Sequence, residues 1–206
     1  MIRNCIVVGR IMTNCYIVAD ENTLDAVVID PGDNSEKILK CIDSQGLKLK
    51  YIFLTHGHFD HVLAVDKVRA ATGAECVIHK NDAELMEKPP RLLSFGATPR
   101  PADITVRGGE EFKVGALSFR WMHTPGHTPG SCCLICGDAM YSGDTLFEDD
   151  CGRCDLPGGD YQAMLGSLRT LAALEGDYNV YPGHDVSTTL ERERRLNVNM
   201  LEALGL

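Results

Sequence analysis

The sequence predicts an α/β fold whose sheets are covered by helices on their outer faces. Three observations lead there. Strand-like and helix-like segments alternate in both halves, Gly-containing turns join antiparallel hairpins between them, and the strands are apolar with only loose polar alternation, as in a covered sheet. The 206 residues are enough for a sizeable core, and one domain spanning residues 1–206 is the expectation.

Each element has its own signal. "CIVVG", "NCYIVAD" and "DAVVID" read as strands, the last stopped by the turn pair Pro31-Gly32. In "DNSEKILKCIDSQG", Asp33, Asn34 or Ser35 offers an N-cap, Ile38, Leu39 and Ile42 form an apolar stripe, and Gly46 ends a helix. "YIFLT" is a short apolar strand, and "HVLAVDKVRAATG" returns to helical spacing up to Gly73. "AECVIHK" is a strand and "DAELMEK" a short helix halted by Pro89-Pro90, after which "RLLSFGATPRPAD" reads as loop. The second half turns β-rich through "ITV", "EEFKV", "LSFRWMHT", "SCCLIC" and "AMYSGDTLF". "DYQAMLGSLRTLAAL" is a helix with Met164, Leu165, Leu168 and Leu171 on one face, "YNVYPGH" a strand, and "TTLERERRLNVNMLEAL" a closing helix.

Composition excludes several function classes. A net charge of −9, with no basic run before the short "RERR", disfavours a surface that tracks phosphates, so no nucleic-acid partner is expected. Gly9, Arg10 and Asn14 interrupt the apolar N-terminal stretch well short of a signal sequence or a span of about 20 residues, so no membrane partner and a cytoplasmic location are expected. Nine cysteines, an odd number scattered singly and in pairs, favour free thiols over a disulfide framework. Oligomeric state is not legible.

Chemistry concentrates in "THGHFDH", where His56, His58, Asp60 and His61 follow directly on an apolar strand. His127 in "HTPGHTPGS" and His184 in "VYPGH" also sit in sharp turns after strands, and Asp144 in "YSGDTLF" lies at a strand end beside a glycine. Strand ends are where α/β scaffolds gather functional side chains. Imidazoles with carboxylates suit zinc or iron, and a catalytic site keeps a position open for water. His79 and His123 lie within strand patterns and read as structural.

THGHFDH, HTPGHTPGS, SGDTLF and YPGH, in this order, resemble the signature set of the metallo-β-lactamase superfamily, and most closely its glyoxalase II-like (hydroxyacylglutathione hydrolase-like) branch, over about residues 11–196. The resemblance implies a four-layer αββα sandwich of two mixed β-sheets covered by helices, with metals in a cleft at one edge of the sheets. It implies that His56, His58 and His127 hold one divalent ion, that Asp60, His61 and His184 hold a second, and that Asp144 bridges them. Zinc is the expected metal, with iron and manganese as alternatives. Three neutral imidazoles would leave the ion enough charge to bring the pKa of a bound water towards 7, making hydroxide available, while a second ion within about 4 Å steadies the oxyanion. Asp60 would also orient that hydroxide. Asp30 resembles the family carboxylate that fixes a ligand histidine; the alternative is a turn Asp capping the next helix.

The implied activity is hydrolysis of a small-molecule thioester such as an S-2-hydroxyacylglutathione. The chain ends soon after His184, so the appended helical domain with which longer glyoxalase II proteins hold glutathione is not expected. Arg153 is the candidate for an anionic substrate group, or else a surface arginine paired with a neighbouring acid. Asp185 places a further acid by the site where the family usually has a small residue. Three rivals stand beside this reading: a persulfide dioxygenase with one iron, a lactonase or β-lactamase-type hydrolase, and a metal or redox module built on Cys133, Cys136, Cys151 and Cys154. The two CxxC pairs approximate a zinc ribbon, but residues three apart on a strand point to opposite faces, so Cys133 and Cys136 are not expected to converge.

Overall fold

The computed structural model describes residues 1–88 and 98–206; Pro89-Pro90 and most of the loop expected after them lie outside the described residues. The first sheet holds β1 (Ile2–Val8), β2 (Thr13–Ala19), β3 (Asp25–Ile29), β4 (Lys48–Phe53), β5 (Glu75–His79) and β6 (Ile104–Val106) in that spatial order. β1 to β3 pair antiparallel, and β3 to β6 run parallel. Parallel neighbours need crossovers, and helices supply them: α1 (Ser35–Ser44) between β3 and β4, α2 (Phe59–Val62) and α3 (Val65–Thr72) before β5, and α4 (Ala83–Glu87) after it.

The second sheet holds β7 (Glu111–Val114), β8 (Leu117–His123), β9 (Cys132–Cys136), β10 (Ala139–Gly143), β11 (Asn179–Pro182) and β12 (Thr188–Thr189), again in chain order. Among the described strands of this sheet only β10 and β11 pair parallel, and α5 (Tyr161–Ala172) makes that crossover. α6 (Leu190–Leu196) and α7 (Val198–Leu204) close the chain.

Three apolar layers cement four layers of structure. On one face of the first sheet Ile17, Val28, Ile52 and Ile78 pack under Ile38, Ile42, Val65 and Val68 of its helices. Between the sheets lie Tyr16, Val18, Val27 and Phe53 against Phe119, Trp121, Leu134 and Tyr141. Beyond the second sheet Cys133, Met140 and Val180 meet Met164, Leu168, Leu171 and Met200. Neighbours such as Ile17 and Val18 serve opposite layers because strand side chains alternate, which is why β2 is buried along its whole length and its sequence alternates poorly. Phe53 is the hub of the middle layer, with its ring 5.5 Å from those of Phe119 and Trp121; truncating such a residue costs about 3–5 kcal/mol.

Two expected helices are broken. The one expected from His61 to Gly73 divides at Leu63–Ala64, where the Ala64 N–H donates to the Pro31 carbonyl at 2.9 Å instead of extending α2. The closing helix divides at buried Asn197, whose Oδ1 accepts from Asn199 N and Met200 N while Nδ2 donates to Glu193 and to the Asp150 carbonyl. Thr188-Thr189, read as the start of that helix, instead pairs with β11.

Candidate metal centre

Five connections converge at one edge of the two sheets. Asp30 follows β3, His56 to His61 follow β4, Asp144 follows β10, His184 follows β11, and His127 lies in the β8–β9 turn. The donor atoms of His56, His58 and His127 lie within 4.8 Å of one another, as do those of Asp60, His61 and His184. A third group of His56, His61 and Asp144 connects the two. Asp144 stands between them: Oδ2 is 3.5 Å from His127 Nε2 and 3.6 Å from His184 Nε2, while Oδ1 is 3.5 Å from His61 Nε2. Asp60 Oδ2 is 3.3 Å from His184 Nε2 and accepts from Thr13 Oγ1. All seven predicted donors therefore meet.

The far sides of the rings are held by the protein. His61 Nδ1 faces Asp30 Oδ2 at 3.0 Å, and Asp30 also accepts from the Thr55 N–H and hydroxyl at 2.8 and 2.7 Å. With the Thr55 hydroxyl donating to Asp30, its oxygen accepts from His56 Nδ1 at 3.1 Å. His127 Nδ1 donates to the Arg153 carbonyl at 2.7 Å. These contacts aim the opposite nitrogens inward. His58 Nδ1 and His127 Nε2 meet at 2.8 Å, and buried His56 Nε2 and Asp144 Oδ1 have no hydrogen-bond partner among the described residues. Native proteins rarely leave buried polar atoms unpaired, so two orphans aimed into one cluster of imidazoles and carboxylates fit a cation.

Backbone approach is close enough to need glycine at Gly183: a methyl there would strike Asp144 Oδ1 and stand 2.8 Å from His61 Cε1. Asn14 holds that turn, donating from Nδ2 to the carbonyls of Pro182 and Asp185 at 3.0 Å.

Residues 8–184 match the family profile of the metallo-beta-lactamase superfamily. The chain belongs to that superfamily. Among relatives, it is 35% identical over 193 residues to the hydroxyacylglutathione hydrolase GloC of Haemophilus influenzae, covering 89% of this chain and 91% of that protein. Its fold matches the crystal structure of the B3 metallo-beta-lactamase BLEG-1 with a TM-score of 0.90 at 32% identity, over 97% of this chain and 99% of that one. ETHE1 from Myxococcus xanthus matches with a TM-score of 0.83 at 33% identity, over 96% and 84%. TTHA1623, solved in a di-iron-bound form, matches with a TM-score of 0.82 at 34% identity, over 95% and 98%. The architecture is thus the metallo-beta-lactamase fold, and the similarity to GloC supports its glyoxalase II-like branch.

Electrostatics divide this superfamily site into two halves. Burial, then His61 and His127, keep the His56 ring well below the ordinary imidazole value. Burial, then His127 and His61, bring His58 down to about 3. Both rings are neutral at pH 7, with lone pairs free. Burial would lower His61 as well, but Asp144, Asp60 and Asp30 outweigh it and raise the ring to about 10. Burial opposes ionisation of Asp60, yet His61 and His184 hold its carboxyl well below the usual range. The carboxylates that retain a proton on His61 form the same negative field that would retain a metal ion.

Other predicted residues stand apart from the donors. The Arg153 side chain is 63% exposed and makes a two-bond pair with Asp155 at 2.6 and 2.7 Å, while its carbonyl orients His127. The Asp185 side chain is exposed. His123 Nε2 donates to the Pro129 carbonyl and stacks on His79 at 4.1 Å, away from the cluster. Cys133 packs under the helices of the second sheet and Cys136 between the sheets, on opposite faces of β9. Among the described residues, no group of potential metal donors contains a cysteine. Burial raises the Cys133 thiol to about 11 and the Cys151 thiol to about 12 and lifts Cys154, so these are protonated thiols at neutral pH. Among the described residues no helix is long and apolar enough to cross a membrane.

The sequence reading missed Thr13, Asn14, Thr55 and Asp82. Asp82 is fully buried and accepts from the Gly57 N–H at 2.9 Å and from Thr128 Oγ1 and the Gly130 N–H, both at 2.6 Å. Thr55, directly before the first histidine of the motif, had a legible position; the other three lie far from their partners in sequence.

Proposed function

We propose that the protein is a binuclear metal-dependent hydrolase that cleaves a small-molecule thioester such as an S-2-hydroxyacylglutathione. The observation that carries this reading is the position of Asp144, whose two oxygens face His127 and His184 on one side and His61 on the other. His56, His58 and His127 would hold one divalent ion, Asp60, His61 and His184 the second, and Asp144 both. A nitrogen and oxygen donor set without thiolate suits zinc, and iron is the alternative that the di-iron form of TTHA1623 supports. Such ions would supply an acidified water and a positive charge for the carbonyl oxygen.

The chain's own groups do the rest. Asp60, kept ionised by His61 and His184, accepts a hydrogen bond from the attacking water and turns its lone pair towards the carbonyl. Asp30 and Thr55 keep His61 and His56 in the orientation and tautomer that leave Nε2 facing the site. A thioester suits this arrangement because a thiol, with a pKa of about 8.5, leaves as thiolate without a proton donor. With Arg153 already paired to Asp155, binding energy for the distant glutathione carboxylates is small, so other thiol carriers should be accepted.

The experiment compares hydroxyacylglutathione with a thioester whose carrier lacks the glycyl carboxylate, using metal-loaded protein, beside glutathione persulfide under oxygen. Catalytic efficiencies within about tenfold, or 1.4 kcal/mol, for the two thioesters support the proposal. A preference above about a hundredfold for the glutathione thioester reveals a dedicated carboxylate pocket and overturns the carrier tolerance. Oxygen uptake without thioester cleavage transfers the assignment to a mononuclear-iron persulfide dioxygenase, a reading favoured by the similarity to ETHE1. Ring opening of a lactam or lactone alone would favour the reading suggested by the similarity to BLEG-1.

A further inference from the structure

Asp82 stands directly before α4, where an aspartate ordinarily caps its own helix, yet its side chain makes no cap hydrogen bond. Both carboxyl oxygens are spent elsewhere. Oδ2 accepts from the Gly57 N–H, between His56 and His58, and from the Thr128 hydroxyl, next to His127; Oδ1 accepts from the Gly130 N–H. All three donors belong to the two histidine loops, which are otherwise distant in sequence. The Thr128 hydroxyl is itself fixed, 2.8 Å from Ser131 Oγ, and that oxygen also accepts from the Thr128 N–H. The same turn of chain adds a second strut, since Asn81 Nδ2 and His123 Nε2 both donate to the Pro129 carbonyl. The packing leaves no slack: a methyl on Gly130 would stand 2.5 Å from the Asp82 carboxyl carbon, and one on Gly57 would stand 2.7 Å from the Asp82 carbonyl oxygen.

We propose that Asp82 is a positioning residue that locks the His56–His58 loop to the His127 loop, and so sets the geometry in which these three histidines take a divalent cation. This rests on the metal-holding role proposed above. Asp82 makes no hydrogen bond to the three rings; it acts through two backbone N–H groups and the Thr128 hydroxyl beside them. The other three donors, Asp60, His61 and His184, are held by Asp30, Thr13 and the Asn14-anchored turn, with no hydrogen bond to Asp82. Loss of the Asp82 clamp should therefore weaken one half of the site and spare the other.

The test titrates metal-depleted wild type and Asp82→Asn with Co²⁺, reading the visible absorption bands and the affinity of each equivalent by chelator competition. His58→Ala and His184→Ala assign the bands to the two halves. An asparagine keeps the size, but its NH₂ must face either the Gly57 N–H beside the Thr128 hydroxyl or the Gly130 N–H; the hydroxyl can turn to accept, whereas a backbone N–H only donates, so one of the two loops loses its acceptor. Affinity at the His58 half should fall ten- to hundredfold with a shifted band, while the His184 half stays within about threefold and the far-ultraviolet circular dichroism is unchanged. Thr128→Val, which deletes one of the three donors and leaves the carboxyl in place, should show a smaller loss at the same half, and it decides the matter if Asp82→Asn does not fold. Unchanged affinity at the His58 half in every variant that folds, or equal losses at both halves, overturns the proposal. Cobalt uptake by wild type that His58→Ala does not alter removes the metal reading itself, and the proposal with it.

Discussion

Asp30 Oδ2 lies 3.0 Å from His61 Nδ1 and 2.7 Å from the Thr55 hydroxyl that in turn accepts from His56, so one buried carboxyl orients a ring in each half of the site. Its backbone sits at φ 52, a conformation that asparagine also tolerates. Asp30→Asn should therefore fold, yet its NH₂ would confront donors. A loss of about 1–3 kcal/mol in stability and a ten- to hundredfold loss of metal affinity are expected, read by thermal unfolding and chelator competition. Wild-type affinity in the variant would show that the histidines hold their orientation without Asp30.

Gly183 separates Asp144 from His61 by less than a methyl group needs. Gly183→Ala should leave the far-ultraviolet circular dichroism unchanged, because alanine keeps the backbone hydrogen bonds of this position to Asn14 and Gly143, while turnover falls by at least about tenfold through displacement of the Asp144 carboxyl. Full activity in this variant would contradict the close packing described for the turn.

Removing metal should make stability depend on pH in both directions. His61, raised to about 10 from an ordinary 6.5, stabilises the metal-free fold as a cation; that contribution is complete below pH 6.5 and is lost as pH rises towards 10. His58, lowered to about 3, is neutral in the folded protein, so the unfolded chain gains the advantage of protonation as pH falls from 6.5 towards 3. Metal-depleted protein should melt highest near pH 6.5, and loaded protein should show a flatter profile because the ring nitrogens are occupied. A metal-free melting temperature that climbs steadily from pH 6.5 to 9 would refute the field assigned to the three carboxylates.

The thiols should be dispensable for metal. Cys133 and Cys136 face different apolar layers, and replacing both with serine tests this. Elemental analysis of Cys133→Ser/Cys136→Ser should find the wild-type metal content, whereas loss of one equivalent would restore the zinc-ribbon reading.

Much of the site was legible because its donors are chemically conspicuous and lie within short motifs just after apolar strands. THGHFDH alone delivers four of the seven. The alternation of strand and helix likewise announced covered sheets. What stayed hidden is what depends on partners distant in the chain. Asp82 resembles an ordinary helix cap until Gly57, Thr128 and Gly130 are brought to it. The break at Leu63–Ala64 requires the Pro31 carbonyl, and the break at Asn197 requires Glu193 and Asp150. For Arg153 the sequence offers both an anion contact and a surface pair with a neighbouring acid; its side chain pairs with Asp155 two residues on, while the hold of its carbonyl on His127 has no sequence signal.

Whether the seven histidine and aspartate donors form one two-ion hydrolytic site is decided by following thiol release from S-2-hydroxyacylglutathione as Zn²⁺ is added stepwise to metal-depleted protein. The rate should rise to a plateau at two equivalents per chain. A plateau at one equivalent, or no thiol release at any metal content, would show that the seven donors do not act as one two-ion thioester hydrolase site.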